Sequence, residues 1–172
     1  MLKHRQIILL DPAMWDDTND SYYLLKYKEK KHLKTVLALC LTKAEETYHH
    51  WKIFSHGSAG VCINFHRAKL TQALRSQAGV TVRDVKYRKV REARKRLEPP
   101  KLDDLPFLKR LAFVAEEEVR AVYESSDKAL RFLDIPIDLS MILRITLSPW
   151  IHDRIKAATK DAIYAIPGCK NS

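Results

Sequence analysis

The sequence predicts an α+β fold, a mixed or mostly antiparallel sheet of about five or six strands with flanking helices. Three observations lead there. Alternating or continuously apolar runs of strand length recur along the chain. Amphipathic helical stretches fall between them in no strict βαβ order. The composition, 46% hydrophobic and 30% charged with only four Gly in 172 residues, suits one folded core rather than a low-complexity chain. A single domain over 1–172 is the resulting expectation.

The elements follow in order. Residues 5 to 10 read as a short strand or helix end closed by Asp11-Pro12, and "SYYLLKYKEKK" as a helix capped by Ser21 with a basic last turn. "TVLALCL" is a continuous apolar strand, and "EETYHHWKIFS" a helix carrying Tyr48 and Trp51 along one side. "AGVCINF" alternates as a half-buried strand, and "RAKLTQAL" then spaces Leu70 and Leu74 at i, i+4. "VTVRDVKY" is another alternating strand. "EEEVRAVYE" sets Val119, Ala121 and Tyr123 on one face and Glu118, Arg120 and Val122 on the other. "MILRITLS" is a last strand, and Ser148-Pro149 reads as the cap and first position of a final helix. Ile151, Ile155, Ala158 and Ala162 form an apolar stripe on it, expected to pack on the sheet. The prolines of "RLEPPKLDDLP" mark a seam between two halves.

A formal charge of +10 favours an anionic partner such as nucleic acid, with a protein partner as an alternative. The N-terminal apolar run is too short for a signal core or a membrane span, and Cys40, Cys62 and Cys169 lack C-x-x-C spacing. These features suggest a reduced, cytoplasmic chain without a membrane partner.

Four clusters carry chemistry, each beside a plainer role. Asp16, Asp17, Asn19 and Asp20 either cap the following helix or wall a pocket with groups that orient a ribose hydroxyl. In "HHWKIF" an imidazole beside an indole offers proton transfer and a stacking surface, or an ordinary packed pair. His49 and His50 diverge on a helix, and no metal spacing is present. Glu118 and Arg120 share a strand face, which keeps the carboxylate ionised for a cationic centre, or forms a surface charge ladder. Lys86, Arg88, Lys89, Arg91, Arg94, Lys95 and Arg96, with Tyr87 as a stacking face, could track a phosphate backbone or form a solvated face.

The order of Asn19-Asp20, a Trp-bearing helix after an apolar strand, "GVCINF", Lys109 and "EEEVR" resembles the bacterial domain-of-unknown-function 2971 family, across residues 5 to 150. That family has an N-D-P loop, W-x-H-Y before G-[VI]-x-[IL]-x-F, and a late E-x-E-[VWF]-R. The matching positions are Asn19 and Asp20; His50 and Trp51; Gly60, Val61, Ile63 and Phe65; and Glu116, Glu118 and Arg120. Ser21 stands where the family has proline, and "HHW" reverses the aromatic–histidine order.

The resemblance implies a place in phage-defence or toxin systems and a distant similarity to ADP-ribosyltransferase-like enzymes. NAD would then be the substrate. Glu118, Arg120 and His50 would be the catalytic set, and Arg5, Asn19, Asp20, Tyr48 and Trp51 the cofactor-binding one. No Gly-rich phosphate loop accompanies them. A non-enzymatic nucleic-acid-binding module and a regulatory partner-binding subunit are the alternatives.

Overall fold

A computed structural model of the protein describes residues 1–15, 18–55, 57–89 and 100–169, with the main chain only at Thr18 and Asn19. It has the α+β architecture the sequence predicts. A mostly antiparallel five-stranded sheet runs in the order β4-β7-β2-β1-β8. Its strands are β1 (Gln6–Leu10), β2 (Thr35–Thr42), β4 (Val80–Asp84), β7 (Glu118–Ser125) and β8 (Phe132–Pro136). Two small sheets accompany it: β3 (Val61–Phe65) with β9 (Ile142–Leu147), and β5 (Lys86–Arg88) with β6 (Leu108–Arg110). The α-helices among the described residues are α1 (Thr18–Lys30), α2 (Tyr48–Phe54), α3 (Arg67–Ser76) and α4 (Asp153–Tyr164).

The chain packs as two compact units. A sheet unit contains residues 8–44 and 74–135; a ribbon unit contains 1–7, 45–73 and 136–172.

In the sheet unit β7 lies between β4 and β2, antiparallel to both, with Leu37↔Tyr123, Leu39↔Ala121 and Cys40↔Arg120 in register. The predicted alternation along β7 holds. One face carries Ala121 and Tyr123, both buried, and the other carries Glu118, Arg120 and Val122. Helix α1 covers the second face. Leu24, Tyr27, Val36, Ala38, Leu105, Phe107, Leu108 and Val122 make one buried cluster there.

A spacing match docks this helix. Four residues of helix advance about 6 Å, and two residues of strand about 6.6 Å. Asp20 and Leu24, four apart, therefore step along β7 in time with Arg120 and Val122, and Tyr27, three residues further on, reaches Glu124 with the end of its long side chain. Asp20 meets Arg120, Leu24 and Val122 share the apolar cluster, and the Tyr27 hydroxyl donates to Glu124.

In the ribbon unit, Leu139, Ile142 and Cys169 form a smaller core with Ile63, Phe65, Ile145, Ile163 and Ile166 around it. β3 supplies Ile63 and Phe65 from one face, and β9 supplies Ile145 and, past the register shift between Asn64 and Phe65, Ile142.

Several local expectations change. Helix α1 starts at Thr18, so Ser21 lies inside it, buried, instead of capping it. The cap of α2 is Thr47, whose hydroxyl accepts from the His50 amide. The last helix begins at Asp153, with His152 as cap in place of Ser148. The Ser148 hydroxyl instead donates to the Gly57 carbonyl and accepts from the Trp150 amide. The stripe on α4 is not buried. Ile155 is 58% exposed, and only its C-terminal end, through Ile163, joins the core. No helix among the described residues is long and apolar enough to cross a membrane.

Candidate functional site: a buried ion network under a basic ribbon

Five ionisable side chains of the sheet unit meet beneath α1. Arg120 has no solvent exposure, and Asp20 and Glu118 are each only 3% exposed. The Arg120 guanidinium grips Glu118 with two bonds, Nε to Oε1 at 2.6 Å and Nη2 to Oε2 at 3.0 Å. The same Nη2 donates to Asp20 Oδ2 at 2.9 Å, while Nη1 donates to the Pro106 carbonyl at 2.9 Å. The indole of Trp15 lies against its plane, 5.5 Å from Cζ. Lys109 Nζ adds contacts to Glu116 at 2.6 Å, Asp20 at 3.1 Å and Glu118 at 3.2 Å.

Such a cluster survives burial only because each charge meets several partners, since a desolvated lone charge costs far more than a paired one. Each member comes from a different local device. Asp20 sits in the first turn of α1, where a carboxylate also faces the positive end of the helix dipole. Glu118 and Arg120 are two apart on β7 and so share a face. Glu117, with φ 42°, closes the preceding 3₁₀ turn in the left-handed region and turns the chain into that strand.

The titration behaviour divides the two carboxylates. Burial opposes ionisation of Glu118, but its bonds and charge contact with Arg120, then Cys40 and Lys109, outweigh it and hold the carboxyl below its ordinary value. For Asp20 burial wins over Arg120 and Lys109, and its pKa is raised. Lys109 is held above its usual range: burial works against the charge, and Glu116, Glu118 and Asp20 outweigh it.

The network is tied to a basic ribbon. Strands β5 and β6 pair in parallel, with Tyr87↔Lys109 and Arg88↔Arg110 in register. Tyr87 and Lys109 turn to the network: the Tyr87 hydroxyl accepts from the Glu118 amide at 2.7 Å. Alternation sends Lys86, Arg88, Leu108 and Arg110 the other way; of these Leu108 is buried in the apolar cluster and Lys86 is exposed. Arg110 is exposed and Arg88 half-buried, on strands whose main chains lie about 4.8 Å apart. Like charges directly opposite one another in a sheet repel. Lys86 is partly neutralised by Asp104 at 3.5 Å, and Arg110 lies 5.4 Å from the centre of the Phe113 ring. Lys89, next in the chain, is exposed.

The sequence-derived candidates therefore sort as follows. Asp20, Glu118 and Arg120 are brought together in one network. The main chain of Asn19 is helical, and its side chain lies outside the described residues, as do Arg91, Arg94, Lys95 and Arg96. Tyr87 presents its hydroxyl to the β7 main chain, a different use from the stacking face expected of it.

Tyr48, His50, Trp51 and Arg5 belong to the ribbon unit. Trp51 is buried, whereas Tyr48 is 67% exposed. Tyr48 stands in the first helical turn and meets Trp150 edge to face at 5.5 Å, so of the two aromatics spaced along one side of α2 only Trp51 is buried. Lys52 lies over both exposed rings. His50 is half-buried, and its Nδ1 has no hydrogen-bond partner among the described residues. Arg5 is exposed, with φ 51°, and donates to the Pro167 carbonyl at 3.5 Å.

No site role follows from the sequence for Trp15, Lys109 or Arg110, although Lys109 is among the positions that carry the resemblance. Comparison with protein-family models, curated proteins and solved structures finds no match.

Proposed function

We propose that the protein binds a nucleic-acid backbone through the Arg88–Arg110 end of the β5–β6 ribbon, with the buried ion network as its rigid footing. The register pairing of Arg88 with Arg110 carries this reading. Two cations set side by side gain most when an anion lies between them, and a chain of phosphates supplies one at each step. Arg110 on Phe113 adds a flat cationic surface of the kind that accepts a stacked base. The net charge of +10 would hasten encounter with such a partner.

Fluorescence anisotropy with a labelled single-stranded oligonucleotide across a salt series tests it. Arg88→Ala and Arg110→Ala should each weaken binding and lower the log–log salt slope by about 0.7. A double variant that binds with wild-type affinity and slope would overturn the reading.

A second reading follows from the convergence of Asp20, Glu118 and Arg120 from distant parts of the chain. In it the resemblance supplies the chemistry: an ADP-ribosyltransferase-like enzyme with NAD as substrate and Glu118 stabilising the ribosyl cation. Both Glu118 oxygens are already bonded, so substrate hydroxyls would have to displace Lys109 or Arg120. Calorimetry with NAD separates the two. Binding that Glu118→Gln abolishes and Arg88→Ala spares favours the enzyme.

A further inference from the structure

The ribbon unit contains a cleft of about 360 Å³ that neither reading uses. Residues 144–147 of β9 line it on one side, Lys156 and Lys160 of α4 line it on the other, and Glu46 also lines it. Among the described residues β9 pairs with β3 alone, so its second edge is open.

The register shows what that edge offers. The Ser148 amide donates to the Gly60 carbonyl, and Thr146 and Arg144 stand opposite Cys62 and Asn64. Main-chain groups of an antiparallel strand point to alternate edges from one residue to the next. Residues 144, 146 and 148 therefore direct theirs to β3, and Ile145 and Leu147 direct theirs outward. Both Ile145 and Leu147 line the cleft. An unpaired row of amides and carbonyls is a template for another strand.

Charge and spacing select the occupant. Arg144, Lys156 and Lys160 against Glu46 make the lining net positive. Lys156 and Lys160 stand one turn apart on α4, about 6 Å, close to the roughly 6.6 Å between alternate side chains of an extended strand. We infer that the cleft accepts an extended acidic peptide segment, which adds to the open edge of β9 through Ile145 and Leu147 and sets alternate carboxylates against Lys156 and Lys160.

The test is anisotropy of the full chain with a labelled peptide of about eight residues alternating Glu and Thr, a usual strand length. Leu147→Pro removes an outward amide while sparing the ladder to β3, as proline is tolerated where the N–H faces away from the sheet. It should weaken binding about 5-fold or more, as loss of one main-chain bond implies, with an unchanged thermal midpoint. Lys156→Glu with Lys160→Glu should abolish binding, and Arg88→Ala with Arg110→Ala should leave it intact. On the wild-type protein, N-methylating alternate peptide amides should reproduce the loss in only one of the two possible phases. No binding, indifference to N-methylation in both phases, or equal displacement of the peptide by inorganic phosphate would overturn the inference.

Discussion

Arg120 shows how much one side chain can organise when it is fully desolvated. Its guanidinium satisfies two carboxylates and a main-chain carbonyl at once, a task for a planar fork of donors that a lysine ammonium cannot reproduce. Arg120→Leu leaves Glu118 and Asp20 buried around Lys109 alone and should lower stability by about 3–5 kcal/mol in urea unfolding. A loss below 1 kcal/mol would mean that the network contributes little. The two carboxylates also predict opposite pH responses. Glu118 has a depressed pKa, so its contribution is present above the unfolded value of 4.5 and is lost as pH falls through the lower folded one. Asp20 has a raised pKa, so the native state holds a proton that the unfolded chain releases, and stability falls as pH rises above 3.8 toward the folded value. Asp20→Asn removes only the opposing slope. Its urea midpoint should rise more steeply than that of the wild type from pH 4 upward, and parallel curves would refute the assignment.

At the scale of elements, the sheet unit depends on two fits that sequence periodicity alone does not reveal. The step of α1 matches the step of β7, which is why a polar pair, an apolar pair and a second polar pair follow one another along their contact. The turn between α3 and β4 depends on Gly79, whose φ is +81° and whose carbonyl accepts from the Glu124 amide. A Cβ there would stand 3.0 Å from the Glu124 carbonyl oxygen, itself fixed in β7. Gly79→Ala should therefore cost about 1–3 kcal/mol through left-handed strain and crowding, read as a shift of the denaturant midpoint at unchanged slope. Strands were legible where alternation was strong, as in β7 and β9. The start of α4 was not: Ser148-Pro149 looks like a cap locally, but the Ser148 amide is claimed by Gly60 and its hydroxyl by Gly57, so the helix opens four residues later at His152.

At the scale of the whole molecule, the excess of positive charge opposes folding by self-repulsion, which salt relieves. Raising ionic strength from about 0.01 to 0.15 M shortens the screening length from about 30 to 8 Å. The thermal midpoint should rise over that range, and a fall would show that exposed ion pairs outweigh the repulsion. The buried network, screened by protein instead of solvent, should respond little. The sequence by itself determined the α+β class, the face of β7 that Glu118 and Arg120 share, and the basic character of β5, because alternation, apolar period and charge are local properties. Only tertiary structure decided that Asp20 and Lys109 join that pair, that Tyr87 turns inward, and that Arg88 meets Arg110 across a parallel pairing. Those outcomes depend on which strands become neighbours and on how deeply a charge is desolvated, and both are set by distant segments packing together.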